Sequence, residues 1–120
     1  MKYIYLLYHP EAQEPAKDSP EFAALVERYQ AFGKEVTDKG VFVAGEPLEP
    51  SSTASMVAVR EGKTQVTDGP YAETKEQLAG FYILDCKDLD EALGYAAKIP
   101  AADYGKVEVR PIMELGCGAS

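Results

Sequence analysis

The fold of this chain is decided by residues 80–113, which read GFYILDCKDLDEALGYAAKIPAADYGKVEVRPIM. The opening GFYILDC contains aromatic and β-branched residues in a run that is typical of a strand. Asp88 and Glu91 form an aspartate variant of the capping box, which predicts a helix start, and Pro100 predicts where that helix ends. The closing VEVRPIM again indicates a strand. This half of the chain therefore predicts a β-α-β unit.

The first third of the chain predicts a second unit of the same kind. Lys2–Tyr8 (KYIYLLY) is aromatic and β-rich, which indicates a strand. Ser19-Pro20-Glu21 supplies a capping hydroxyl, a proline in the first turn and an acid, which predicts a helix that ends at Lys39-Gly40. Val41–Ala44 (VFVA) is wholly apolar, and we expect a short strand that is buried on both faces.

The segment between the two units predicts a hairpin, because Ser55–Arg60 and Thr64–Thr67 flank a glycine at a turn position. One helical turn is expected over Glu73–Leu78. The order β-α-β, hairpin, β-α-β is the ferredoxin-like pattern with an insertion, which is an α+β fold with an antiparallel sheet. We expect both helices on one face of that sheet, a single domain over residues 1–115, and a flexible tail over residues 116–120.

Charge and composition exclude several classes of protein. The chain has 12 Lys and Arg against 20 Asp and Glu, a net charge of −8. Nucleic acids and anionic membranes are bound mainly through Lys and Arg, so we expect neither as a partner. The apolar start is too short to span a bilayer, and the two cysteines lack CxxC spacing. These features indicate a cytoplasmic protein.

Metal and cofactor chemistry is not expected either. The chain has one histidine and two scattered cysteines, too few and too far apart for a typical zinc site. It also lacks a glycine-rich phosphate loop after a strand and a nucleophile elbow. The sequence therefore predicts no cofactor and no metal ion.

Strand alternation sorts the predicted sheet residues into two faces. One set is apolar and is expected to meet the helices: Ile4, Leu6, Phe81, Ile83, Val107 and Val109. The other set is Tyr3, Tyr5, Tyr82, Glu108 and Arg110, with Gly80 among them. This second face is interpreted either as a homodimer interface or as the wall of a ligand pocket, and the two interpretations are compatible.

Residues 68–85, DGPYAETKEQLAGFYILD, closely resemble the signature of the DGPF domain, a branch of the YCII-related family. The resemblance continues through residues 88–112 and, more weakly, covers the opening MKYIYLLY. Tyr71 stands where the family usually has Phe. The resemblance implies a ferredoxin-like subunit that pairs into a dimeric α+β barrel.

The resemblance also implies a His–Asp pair as a candidate active site. Asp68 matches the acid, and His9 is the only histidine, although no motif surrounds it. Asp68 has two interpretations: a carboxylate that shapes the Asp-Gly-Pro turn, or a general base or ligand anchor. A histidine side chain ordinarily titrates near neutral pH, which suits acid–base chemistry.

Three functional hypotheses follow. The first is a cofactor-independent enzyme that acts on a small organic acid by proton transfer, of lyase or isomerase type. The second is a small-molecule-binding or regulatory accessory module associated with an extracytoplasmic-function sigma factor. The third is a barrel whose Asp68 loop only stabilises a homodimer.

Overall fold

The computed structural model describes residues 1–72 and 74–115. Its strands, in chain order, are β1 (Lys2–His9), β2 (Phe42–Pro47), β3 (Ser55–Arg60), β4 (Lys63–Asp68), β5 (Gln77–Asp85) and β6 (Lys106–Pro111). Its helices are α1 (Pro20–Asp38), α2 (Leu89–Ala96) and the short α3 (Ala101–Tyr104), and single 3₁₀ turns lie at Glu11–Gln13 and Ser51–Thr53.

Four of these strands form one antiparallel sheet in the order β2-β5-β1-β6. This is the ferredoxin-like arrangement, in which the two β-α-β units interleave and the first strand lies in the middle of the sheet. Strands β3 and β4 pair only with each other, as a hairpin inserted between β2 and β5. The predicted fold class, α+β with an antiparallel sheet, is confirmed.

The predicted helix starts are confirmed at atomic detail. The Ser19 hydroxyl accepts a hydrogen bond from the Phe22 N–H at 3.1 Å, and Pro20 occupies the first helical position. The Asp88 carboxylate accepts from the Glu91 N–H at 2.8 Å. Each cap satisfies a backbone donor that would otherwise lack a partner at the helix start.

The predicted assignment of the sheet faces is wrong for β1 and β5. Register pairs Tyr3 with Leu84, and Tyr5 with Tyr82 and Val109, which belong to the core or pack against it. We call this the helix-side face, and its residues are Tyr3, Tyr5, Leu7, Tyr82, Leu84, Val107 and Val109. The opposite side, which we call the open face, carries Ile4, Leu6, Phe81, Ile83, Glu108 and Arg110. Tyr3, Tyr5 and Tyr82 therefore belong to the core side, and Ile4, Leu6, Phe81 and Ile83 lie on the open face.

Two further predictions need correction, and one element was missed. Phe42 and Val43 are 40% and 44% exposed, because β2 is an edge strand and is not buried on both faces. The helical turn expected up to Leu78 is wrong in its last residues, because β5 already begins at Gln77. The short helix α3 was not predicted. The predicted tail, residues 116–120, lies outside the described residues.

Candidate functional site

A cavity of about 830 Å³ lies between the first half of α1 and the helix-side face of the sheet. Its volume falls within the range usual for small-molecule sites. Its inner wall is mainly apolar and aromatic, and includes Leu7, His9, Phe22, Leu25, Val26, Tyr29, Gln30, Gly80, Tyr82 and Tyr104. Its mouth is formed by two loops, residues 11–17 and 46–50.

The cavity exists because α1 meets the core along only half of its length. Phe32 and Val36, in the second half of the helix, are buried in the core. Phe22, Leu25 and Val26, in the first half, continue the same apolar stripe but are only half-buried and line the cavity. The stripe was expected to pack against the sheet throughout. Its first half therefore presents apolar surface to a space that a ligand can fill.

His9 lies at the inner wall, where β1 ends. Its side chain is 5% exposed, and its ring lies 5.1 Å from the Tyr104 ring, centroid to centroid, at an angle of 49°. The Nδ1 atom is 3.5 Å from the Pro10 carbonyl oxygen, at the outer limit for a hydrogen bond. Among the described residues no group hydrogen-bonds Nε2. That nitrogen is therefore available to the contents of the cavity.

Three tyrosines surround the same space. Burial, and then a hydrogen bond with Tyr104, raises the pKa of Tyr29. Burial alone raises the pKa of Tyr82. A tyrosine with a raised pKa stays uncharged at neutral pH and keeps its proton, so each hydroxyl can donate a hydrogen bond. The wall thus combines apolar contact with uncharged donors.

The two loops at the mouth are joined by a local contact. Glu11 accepts hydrogen bonds from the Ser51 N–H at 2.7 Å and from the Ser51 hydroxyl at 2.6 Å. These bonds, the hydroxyl's first, lower the pKa of Glu11. A weaker ion pair joins Lys17 and Glu49 at 3.9 Å. Both contacts tie the loop after β1 to the connection after β2, and so fix the shape of the mouth.

The structure divides the predicted ligand-binding residues among three places. Tyr82 lines the cavity. Tyr3 and Tyr5 are buried in the core and do not line it. Glu108 and Arg110 lie on the open face, where Arg110 Nε donates to Glu108 Oε2 at 2.6 Å. The prediction that all five share one face is wrong, because the tyrosines and the Glu108–Arg110 pair point to opposite sides of the sheet.

Asp68 does not meet His9 within the subunit. It is exposed at the end of β4 and is not among the residues that line the cavity. The turn that follows it depends on Gly69, which has a φ of +100° and donates to the Ala54 carbonyl at 2.7 Å. A catalytic role for Asp68 stays a prediction.

In residues 1–72 and 74–115 no cluster of three or more His, Cys, Asp or Glu side chains is arranged to hold a metal ion. Within the same residues no helix has both the length and the hydropathy needed to cross a membrane.

Sequence reasoning missed Tyr29, Tyr104 and Glu11. Tyr29 belongs to the apolar stripe of α1, which was interpreted as core alone. Tyr104 lies in a short helix that follows Pro100, and its position beside His9 depends on the pairing of β6 with β1. Glu11 lies next to a proline in a polar loop, and only its contact with Ser51 marks it. The one signal available in the sequence was the hydroxyl of Tyr29, a polar group within the apolar stripe of α1.

Comparison with known proteins adds the following. A protein-family model described as the YCII-related domain matches residues 1–116. An uncharacterised protein of Rhizobium meliloti (strain 1021) is 37% identical over 114 residues, which cover 93% of this chain and 92% of that protein. Among solved structures, 5-chloro-2-hydroxyhydroquinone dehydrochlorinase of Burkholderia phenoliruptrix, in complex with 2,5-dihydroxybenzoquinone, aligns over 95% of both chains at 13% identity and a TM-score of 0.49. So distant a likeness says nothing about what the present chain binds.

Proposed function

The chain belongs to the YCII-related domain family, and we propose that it is a cytoplasmic, cofactor-independent enzyme that acts on a small organic acid by proton transfer, as a lyase or isomerase does. Its active site is the cavity beside His9. Residues 1–115 act as one domain of the DGPF branch. Arg110, one of the predicted ligand-binding residues, lies on the open face, and none of the described residues of the cavity's inner wall is a Lys or Arg. The substrate is therefore an acid that enters without a charge, such as a phenol, an enol or a carbon acid.

One observation carries this proposal: the only histidine of the chain is buried at the wall of a cavity large enough for a small molecule. Imidazole is the side chain best suited to accept and return a proton near neutral pH. The hydroxyls of Tyr29, Tyr82 and Tyr104 supply donors that can hold an oxygen atom of the substrate while His9 moves the proton.

Hydrogen exchange in D₂O tests the proposal without knowledge of the substrate. Wild-type protein is incubated with a panel of small carbonyl compounds and phenols, and the loss of C–H signals is followed by NMR. We expect exchange in one structural class of the panel and a loss of about 100-fold or more in His9→Gln, the usual range for removal of a general base. Asp68→Asn is the matched comparison, because within the subunit its carboxylate does not line the cavity. Equal exchange in wild type and His9→Gln would contradict the proposal.

The alternative is a small-molecule-binding or regulatory accessory module associated with an extracytoplasmic-function sigma factor. The cavity supports binding as well as it supports chemistry. A compound that shifts the NMR signals of His9 but neither exchanges nor turns over would favour this alternative.

We further propose that two copies pair through the open face, as in a dimeric α+β barrel. Ile4, Leu6, Phe81 and Ile83 form an apolar centre on this face that one subunit leaves partly exposed, and such patches mark interaction surfaces. Light scattering should return twice the 13.1 kDa subunit mass. Leu6→Glu should halve that mass, whereas Leu93→Glu, on the outer surface of α2, should leave it unchanged. A monomeric wild-type protein at micromolar concentration would contradict the pairing.

A further inference from the structure

The charged residues that line the cavity are strongly unbalanced in sign. Four are acids and one is a base, a net of −3 from 1 − 4: Glu11, Glu14, Glu46, Glu49 and Lys17. All five lie on the two segments that form the mouth, with Glu46 at the end of β2, and none lies on the inner wall. A molecule that enters this cavity therefore passes a negatively charged rim.

The single base offers little to an anion. Lys17 is exposed, and Glu49 is its nearest carboxylate at 3.9 Å. Among the described residues that line the inner wall, none carries a Lys or Arg side chain. A carboxylate or phenolate in this space would lose its water without gaining an opposite charge, and the rim would repel it.

The inner wall suits an uncharged ligand of the same shape. Phe22, Leu25 and Val26 supply apolar contact from one side. From the sheet side the hydroxyl of Tyr82, whose pKa is raised by burial, can donate a hydrogen bond to a hydroxyl or carbonyl oxygen. Tyr29, on the helix side, adds a hydroxyl that is hydrogen-bonded with Tyr104. A cation would be attracted by the rim but would form no ion pair with the inner wall, because all four carboxylates are at the mouth and one of them already binds Ser51.

We infer that this cavity selects the uncharged form of a weakly acidic ligand and excludes the corresponding anion. The inference rests on the proposed function, since it concerns the substrate class of the same cavity. On this inference the substrate ionises only after it has bound, when His9 accepts its proton. The anion then exists only inside the cavity.

The chain offers a direct probe, because His9 is its only histidine. In protein without a histidine tag, the side-chain NMR signals of that residue report occupancy of the cavity alone. The ligand probe is 4-nitrophenol, titrated at pH values below and above its own pKa. The matched probe is 4-nitroanisole, which has nearly the same shape and cannot ionise.

We expect the affinity for 4-nitrophenol to fall about ten-fold or more as it ionises, by the cost of burying an unpaired charge, while that for 4-nitroanisole stays constant. Equal or tighter binding of the nitrophenolate would overturn the inference and leave the proposed site standing. An equal fall in affinity for 4-nitrophenol and 4-nitroanisole would overturn the inference too, because the pH dependence would then arise from the protein and not from the ligand. If neither probe changes the NMR signals of the His9 side chain, both the inference and the proposed site are overturned.

A rim variant tests the source of the selectivity. Glu14→Gln combined with Glu46→Gln should strengthen nitrophenolate binding about two- to five-fold at low salt, the size expected for exposed, screened charges, without changing 4-nitroanisole binding. Glu27→Gln, on α1 and outside the cavity lining, is the matched control and should change neither. An unchanged nitrophenolate affinity in the rim variant would refute the role assigned to these carboxylates.

Discussion

Replacement of Tyr5 by Phe tests the corrected assignment of the sheet faces. The Tyr5 side chain is fully buried, and its hydroxyl donates to the Ala92 carbonyl oxygen of α2 at 3.0 Å, with the Cys86 sulfur 3.6 Å away. Burial, followed by the contact with Cys86, raises the pKa of Tyr5, so the hydroxyl keeps its proton and remains a donor at neutral pH. Tyr5→Phe keeps the ring and removes this bond between the sheet and α2.

The expected cost is about 1–2 kcal/mol in the free energy of unfolding. One buried hydrogen bond contributes roughly 0.5–1.5 kcal/mol, and the partially unsatisfied carbonyl and the space left by the oxygen atom add to that figure. For a domain of this size the melting temperature should fall by about 4–8 °C. The chain contains no tryptophan, so urea unfolding is best followed by far-ultraviolet circular dichroism, at one fixed protein concentration.

Tyr8→Phe is the matched control. Tyr8 lies on the same strand, it is half-buried, and among the described residues its hydroxyl has no hydrogen-bond partner. Its replacement should change the free energy of unfolding by less than about 0.5 kcal/mol, as is usual for substitutions away from the core. Equal losses in the two variants, or no loss in Tyr5→Phe, would refute the placement of Tyr5 against α2.

Four other substitutions have defined outcomes. Gly105→Ala should cost about 2–3 kcal/mol in urea unfolding, because a Cβ atom there would lie 1.9 Å from a carbonyl oxygen of β1, whereas Gly94→Ala, with open space around it, should stabilise the chain by up to about 1 kcal/mol. Ser51→Ala should lower the free energy of unfolding by about 1 kcal/mol at pH 7. Because the pKa of Glu11 is lowered from 4.5, folding favours the charged form of Glu11. The difference in stability between wild type and Ser51→Ala should therefore be constant above pH 4.5 and shrink as the pH falls below it. Asp68→Ala should leave the melting temperature within about 2 °C of wild type, since its side chain is exposed; a larger fall would indicate that the carboxylate shapes its turn.

Local sequence signals predicted the elements of this fold well. Ser19 and Asp88 identified the helix starts, and their side chains cap the first turns of α1 and α2. Such caps can be predicted from sequence because they involve residues only three positions apart. The hairpin turn was identified by Gly62, which has a φ of +75° in the structure. The interleaved sheet followed from the order of the elements, because few topologies accommodate two β-α-β units of this length.

The sheet faces could not be predicted in the same way. Strands β1 and β5 carry large apolar side chains on both faces, so alternation separated tyrosine from aliphatic residues without indicating which set meets the helices. Tyr5 of β1 pairs with Tyr82 of β5, so the tyrosines share one face, as predicted. That face meets the helices, however, whereas the aliphatic set was expected to do so. The cavity was missed for a related reason. The apolar stripe of α1 packs against the sheet only where the helix lies close to it and lines a cavity where it lies further away. The sequence of α1 does not indicate that distance.

The strand order also determines when the sheet can form. Every pair in the main sheet joins β1 or β2 to a strand that begins at Gln77 or later; Lys2 pairs with Asp85, and Tyr3 with both Leu84 and Pro111. During synthesis the first two-thirds of the chain can complete, among the described strands, only the β3–β4 hairpin. Chains dominated by such distant pairings fold slowly, on a scale of about milliseconds to seconds. On the ribosome the nascent chain must therefore keep its apolar β1 unpaired until nearly all of the protein has been made, which is the interval in which chaperone binding would matter most.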